Sequence, residues 1–196
     1  MSTVVVTGGA GFVGSHVAEL LRDRGHEVTV LDDLSSGKRE NVPEGCRLVE
    51  LDITDAPAVE RAIDGAAFVC HLAAQASVTV SVKEPDRDLA INVAGTLNVC
   101  AAAAAAGAPV VFASTGGALY GDNAPIPTPE GSPTEPLAPY GASKLAGEAY
   151  VGTWSRLHDA GNDAEATSVL ERVLATGNPD ELDRKRIQQK LDAWRR

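Results

Sequence analysis

Positive charge is scarce in this chain: 17 lysines and arginines stand against 27 aspartates and glutamates, for a formal net charge of -10. That balance argues against a nucleic-acid binder, which needs clustered Lys and Arg against the phosphate backbone. It does not exclude an anionic nucleotide, because backbone N–H groups at a helix start hold phosphate without help from net charge. Cysteine is scarce too. The 3 present, Cys46, Cys70 and Cys100, are scattered and odd in number. With no CxxC and no Cys/His spacing, no metal site is expected, and buried thiols in a reducing cytosol are the reading. No apolar run approaches the ~18–20 residues needed to span a bilayer, and no basic start precedes the first strand. A soluble cytoplasmic protein without membrane association is expected.

What is present is ordinary globular material: 196 residues, 44% hydrophobic and 22% charged. That is enough for one α/β domain with a sizeable core and a small appendage. Strand-like and helix-like segments alternate. Val4–Thr7, Val28–Leu31, Arg47–Leu51, Ala67–Leu72 and Pro109–Ala113 read as strands, the first a β-branched run suited to a parallel strand covered on both faces. Phe12–Arg24 has helical apolar spacing and is stopped by Gly25, and Ala56–Ile63 reads as a short helix. Asp86–Ala106 reads as a long helix ending in six alanines before Gly107, and Tyr140–Leu157 as another. The alternation predicts a Rossmann-type, doubly wound parallel sheet over residues 1–158, with ligands at the carboxyl ends of the strands. Residues 159–196 carry no strand signal and read as a helical hairpin. Its second helix opens on Asn178-Pro179-Asp180-Glu181, a capping Asn followed by Pro at the first position.

Every chemical motif falls at a predicted strand end. Between the first strand and first helix stands Thr7-Gly8-Gly9-Ala10-Gly11-Phe12-Val13-Gly14. Gly8 allows a sharp turn, Gly11 removes a side chain where a pyrophosphate approaches, and Gly14 lets the helix pack closely on the sheet. Phosphates would then meet free N–H groups and the positive end of the helix dipole. Asp32 ends the second strand, 18 positions after Gly14. A carboxylate there accepts from both hydroxyls of an adenosine ribose and repels a 2′-phosphate, which favours NAD over NADP. Asp33 either shares that role or caps the turn Ser35-Ser36-Gly37, and the cap is preferred.

Tyr140 and Lys144 stand four apart at the head of a helix, so they share a face. A nearby ammonium and a positive nicotinamide ring both favour the phenolate, which would make Tyr140 a general acid/base tuned by Lys144. Ser114-Thr115-Gly116-Gly117 follows the fifth strand; a hydroxyl there could meet a substrate oxygen beside Tyr140, or the segment is simply a turn of small residues.

Taken together, the set resembles the extended short-chain dehydrogenase/reductases, in particular the NAD-dependent nucleotide-sugar epimerases of the UDP-glucose 4-epimerase type. The matching stretches run in family order over about the first 157 residues: TGGAGFVGSHV (7–17), LDDLSSGKREN (31–41), LDITD (51–55), HLAAQASV (71–78), NVAGTLNV (92–99), STGGALYG (114–121) and PYGASKLAGE (139–148). The resemblance implies NAD as cofactor and a UDP-sugar as substrate. It puts Leu34, Ser36 and Gly37 in the loop beside the ribose, and Asp52 and Ile53 at the adenine. Leu72, Ala73, Ala74 and Gln75 would line the phosphates and ribose, Asn92 would steady the central helix, and Lys144 would hold ribose hydroxyls. Ser114 or Thr115 would partner Tyr140, with Thr115 preferred, and His71 would be structural. Tyr140 would take the proton of a sugar hydroxyl while hydride leaves the same carbon for NAD. Glycines at 116 and 117, where dehydratases carry acidic residues, favour an epimerase.

The resemblance stops after Leu157. Family members continue into a sixth strand and a substrate-holding half, whereas residues 159–196 match neither. A truncated or engineered form is therefore expected, binding NAD with little or no turnover; an active short epimerase/dehydratase and a non-catalytic designed cofactor scaffold are the alternatives. The tail is read as a cap on the exposed sheet, or else as helices that make a homodimer.

Overall fold

A computed structural model describes residues 2–158. Five parallel strands, β1 (Thr3–Thr7), β2 (Glu27–Asp32), β3 (Arg47–Glu50), β4 (Phe68–His71) and β5 (Val110–Phe112), form one sheet in the order β3-β2-β1-β4-β5. β1 pairs with β2 through Val4↔Val28 and Val6↔Val30, and with β4 through Val4↔Phe68 and Val6↔Cys70. The chain builds outward from β1 to β3, then crosses back to start the other half at β4. The strand order therefore reverses between β1 and β4, and the crevice above their carboxyl ends is where such sheets take ligands.

The period of two along β1 divides the core. Val4 and Val6 face one side and pack with Val17, Leu21, Val28, Val30 and Phe68. Val5 faces the other, with Leu31, Val59, Ile63, Val69, Val99 and Ala103. Helix α1 (Phe12–Asp23) covers the first face; α2 (Ala56–Ile63) and α5 (Thr96–Ala106) cover the second. Burial on both faces is why these strands read as continuous β-branched runs. Asp55 caps α2, its carboxylate accepting from the Ala58 N–H at 3.1 Å. Asp55→Ala is expected to lower stability by about 1 kcal/mol in urea unfolding, with no change at the cleft described below.

Two elements differ in kind from the sequence reading. The long helix predicted over Asp86–Ala106 is three pieces: α4 (Pro85–Leu89), a π-helical turn (Ala90–Gly95) and α5. The wider turn brings Asn92 inward, where it is 2% exposed, and Gly95 gives room to Ile53, whose Cδ1 a Cβ there would meet at 2.6 Å. The whole stretch Pro85–Ala106 is also long and apolar enough to cross a membrane by composition, with mean hydropathy 1.6 over its best window. That corrects the expectation that no such run exists. Its apolar residues Val99 and Ala103 are fully buried against the sheet, so a place in the core accounts for them. The second difference is α3 (Val78–Lys83), a β-branched segment for which no element is predicted; Ser77 caps it, accepting from the Val80 N–H. Helix α6 (Pro139–His158) closes the described part. The hairpin expected over residues 159–196, with its cap and homodimer readings, lies outside the described residues.

Candidate active site

A cleft of about 720 Å³ opens at the reversal point. The glycine turn forms its floor, with Gly8, Gly11, Phe12, Val13 and Gly14 all lining it. Gly8 takes a left-handed φ of +70°, and a Cβ there would meet the Ala73 backbone nitrogen at 2.6 Å. The turn and the loop after β4 thus touch backbone to backbone, which only glycine permits. Helix α1 starts at the turn with Gly11 as N-cap, without a side-chain cap bond and without an acidic residue in its first turn. The first-turn N–H groups therefore face the cleft with no partner from a capping side chain, a donor set that fits a pyrophosphate.

Asp32 closes one end. One carboxylate oxygen accepts from the Ala10 N–H and the other from the Leu34 N–H, both at 2.9 Å, so backbone donors fix the group at the rim of the cleft. Leu34, at φ +57°, and Gly37, packed against the Asp32 carboxylate, make the turn behind it and do not themselves line the cleft. Asp33 accepts from both the N–H and the hydroxyl of Ser35, a turn-capping arrangement, while Asp33, Ser36, Asp52 and Ile53 all line this end. The Asn98 amide donates to the carbonyls of Ile53 and Thr54, holding that loop.

Leu72, Ala73, Ala74 and Gln75 form the middle wall, and Tyr140 and Lys144 the far one. Lys144 is 3% exposed; its ammonium donates to the Ala113 carbonyl at 2.9 Å and lies 4.7 Å from the centre of the Phe112 ring. Burial lowers its pKa to about 8, opposed by the Asp88 charge. Burial holds the Tyr140 hydroxyl above the ordinary phenol range; a hydrogen bond from Thr115 pulls it down and Asp88 pushes it up. In the chain without cofactor the phenol is not depressed, because burial dominates and the Lys144 ammonium is engaged by a carbonyl; the nicotinamide charge that the expectation also invoked belongs to the cofactor-bound state. Thr115 reaches the Tyr140 hydroxyl without lining the cleft, whereas Ser114 lines the cleft and is exposed.

Asn92 sits behind this wall. Its carbonyl side-chain oxygen accepts from the Gln75 N–H at 2.8 Å, and its amide donates to the Gln75 carbonyl, the Asp88 carboxylate and the Ser143 hydroxyl. Ser143 in turn donates to the Tyr140 carbonyl, so the π-helical turn is tied to the head of α6. Sequence reasoning missed Ser77 and Val80 at the start of α3 and Arg87 on α4, which also line the cleft, because no motif marks them. It missed Asp88 as well, which looks like an ordinary first-turn acid. Among the described residues no group of His, Cys, Asp and Glu could hold a metal ion.

A glycine turn on a helix start, a strand-end carboxylate and a Tyr/Lys pair lining one crevice are the geometry of a dinucleotide-binding α/β protein. The chain belongs to the NAD dependent epimerase/dehydratase family, whose model matches residues 4–187. It is 40% identical over 157 residues to a putative UDP-glucose 4-epimerase of Methanocaldococcus jannaschii, covering 79% of this chain and 52% of that one. A UDP-glucose 4-epimerase of Thermotoga maritima, solved with UDP-glucose, superposes with a TM-score of 0.78 at 42% identity, over 80% of this chain and 52% of that one. A Thermus thermophilus UDP-glucose 4-epimerase solved with NAD gives a TM-score of 0.72 at 46% identity, over the same shares. The chain spans about half the length of the relatives it matches.

Proposed function

We propose that this chain binds NAD in the cleft and carries the acid–base half of a nucleotide-sugar 4-epimerase site. The observation that supports it most is that the glycine turn, Asp32, Tyr140 and Lys144, far apart in sequence, line one cleft at the reversal point of the sheet. The first-turn N–H groups of α1 would hold the pyrophosphate, Asp32 the adenosine ribose, and Lys144 the ribose next to the nicotinamide. Bound there, NAD supplies a hydride acceptor that can return the hydride. Tyr140 exchanges a proton with a sugar hydroxyl through its own hydroxyl, and Thr115 donates to that oxygen as it takes on charge. The UDP-sugar is proposed from the relatives named above, and the three free thiols of Cys46, Cys70 and Cys100 fit a cytoplasmic setting.

Calorimetric titration with NAD, followed by UDP-glucose on the same sample, tests this. Heat of NAD binding at one site is expected, with weak or no response to the sugar nucleotide and little epimerisation, because the matched region is about half of each relative. No NAD heat would overturn the proposal; brisk epimerisation of UDP-galactose would overturn the low-turnover part. Asp32→Asn keeps the side chain's size and removes its charge. NAD affinity is expected to fall roughly 10-fold or more, with NADP losing less.

A further inference from the structure

The charged side chains that line the cleft are sorted by sign. Asp32, Asp33 and Asp52 gather at the end that Asp32 closes, whereas the cations, Arg87 and Lys144, come from α4 and α6. Lys144 is 3% exposed, and its ammonium is taken by the Ala113 carbonyl. The Arg87 side chain is 50% exposed, and among the described residues its polar partner is the Glu84 carboxylate, which accepts from Nη1 at 3.2 Å. A guanidinium carries five N–H donors in a planar fork, so this pair leaves most of them unused. Glu84 makes no side-chain cap bond to α4 and does not line the cleft. Arg87 is also carried on a fixed support. The next residue, Asp88, accepts from the side-chain amides of Gln75 and Asn92, each at 3.0 Å. Gln75 belongs to the middle wall, and Asn92 holds Ser143, which donates to the Tyr140 carbonyl. Helix α4 is thereby tied both to the wall and to the tyrosine end of the cleft.

We propose that Arg87 holds the diphosphate of a nucleotide sugar in this cleft and so sets the sugar before Tyr140. The dinucleotide has partners of its own, the first-turn N–H groups of α1 for its pyrophosphate and Asp32 for its ribose. A second diphosphate in the same crevice is repelled by the first and needs a cation of its own. Lys144 is buried and engaged, which leaves Arg87 as the accessible cation among the lining residues. Its fork meets two phosphate oxygens at once, in charge-assisted bonds about twice as strong as neutral ones. The carboxylates favour the same placement, because they repel a diphosphate from the far end of the cleft. Glu84 is then the competitor that the phosphates displace, and a half-exposed ion pair is cheap to break. This assignment rests on the cofactor and substrate reading proposed above.

Protein labelled with ¹⁵N-arginine reads the site directly, with the Nε–H resonance of Arg87 assigned by its loss in Arg87→Gln. In NAD-loaded protein, UDP is expected to shift that resonance with half-saturation at about 1 mM, whereas NAD alone leaves it in place. Arg87→Gln is expected to weaken UDP binding about 10-fold, read from the backbone amide of Ser77 in the same cleft. Glu84→Gln is expected to strengthen it a few-fold by removing the competitor. Both side chains are half exposed, so both variants are expected to keep the wild-type urea midpoint, and both keep NAD affinity. An Arg87 resonance unmoved by UDP up to about 10 mM, or equal UDP affinity in the wild type and in Arg87→Gln, would overturn the proposal. An Arg87 resonance moved by NAD, with NAD affinity lost in Arg87→Gln, would overturn it too, by giving the guanidinium to the cofactor's pyrophosphate. Absence of NAD binding would sink the proposed function instead, and the UDP titration, run on the protein alone, would still read Arg87.

Discussion

Gly14→Ala is expected to abolish NAD binding and to cost the fold several kcal/mol, although it adds a single methyl group to a helix, where alanine is the better former. The reason is the room available. A Cβ at position 14 would meet the Gly8 carbonyl oxygen at 2.1 Å, the Gly8 carbonyl carbon at 2.8 Å and the Gly9 Cα at 2.8 Å. All three are backbone atoms of the turn, so no side chain can swing aside, and overpacking of this kind costs roughly 1–3 kcal/mol or more. Helix α1 would have to back away from β1, and it cannot do so cheaply, because Val17 and Leu21 are 4% and 0% exposed against the strand. The Gly8 carbonyl also accepts from the Gly11 N–H at 3.1 Å, so displacing it moves the N-cap that aims the first-turn donors. Urea unfolding and NAD calorimetry on the same variant read both losses. A stable Gly14→Ala protein with wild-type NAD affinity would show that the turn does not depend on this contact. Gly25→Ala is the control: nothing lies within 4 Å of a Cβ there, so only its φ of +84° resists, and NAD affinity is expected to stay.

The parts of the site that could be read from the sequence are those whose geometry is local. Three glycines at fixed spacing between a β-branched run and an amphipathic helix specify a turn, and a carboxylate at the end of the next strand must reach the same edge of a parallel sheet. Tyr140 and Lys144, four apart, share a face of any helix they occupy. What could not be read depends on partners distant in sequence. The π-helical turn at Ala90–Gly95 follows from Ile53 pressing on Gly95 and from Gln75 and Ser143 claiming Asn92, none of which leaves a trace in the helical periodicity. The depressed phenol expected of Tyr140 drew on a lysine one turn away as well as on a nicotinamide ring, and the sequence does not show that the Ala113 carbonyl, just past β5, engages that lysine. Strand β5 itself is shorter than expected, Val110–Phe112 instead of Pro109–Ala113, since Pro109 has no N–H to give the ladder.

The second large effect is expected in acid, and it comes from His71. The Leu72 and Ala73 N–H groups both donate to the Thr7 hydroxyl oxygen, at 3.2 and 3.1 Å. That hydroxyl is left to donate to His71 Nδ1, at 2.6 Å. The proton of the neutral ring must then sit on Nε2, which donates to the Thr96 hydroxyl at 3.0 Å, and Thr96 donates onward to the Asn92 carbonyl at 2.7 Å. Every link has one donor and one acceptor, so the tautomer follows from the network. A second proton on Nδ1 would face the Thr7 hydroxyl donor to donor, in a residue with 0% exposure. Burial, with the Lys144 charge adding to it, lowers the His71 pKa from 6.5 to about 3. The unfolded chain therefore binds a proton at His71 that the folded chain refuses. The stability this confers is complete above the unfolded value of about 6.5 and is lost as pH falls from there toward 3. At 1.36 kcal/mol per unit, that is on the order of 5 kcal/mol over the whole window and roughly 2–3 kcal/mol by pH 4.5. Urea unfolding of the wild type is expected to show this decline between pH 7.5 and 4.5. His71→Gln, which cannot titrate, should start less stable at pH 7.5, because its neighbours lose their ring partner, and then stay flatter across the same window. Equal slopes in the two proteins, or a His71 ring that titrates near 6.5 by ¹⁵N NMR in the folded state, would refute the assignment. The chain runs from Thr7, next to Gly8, to the carbonyl of Asn92, whose amide holds Ser143 below Tyr140. Acid at His71 should therefore loosen the phosphate turn and the tyrosine together, and NAD affinity should fall with stability as the pH drops.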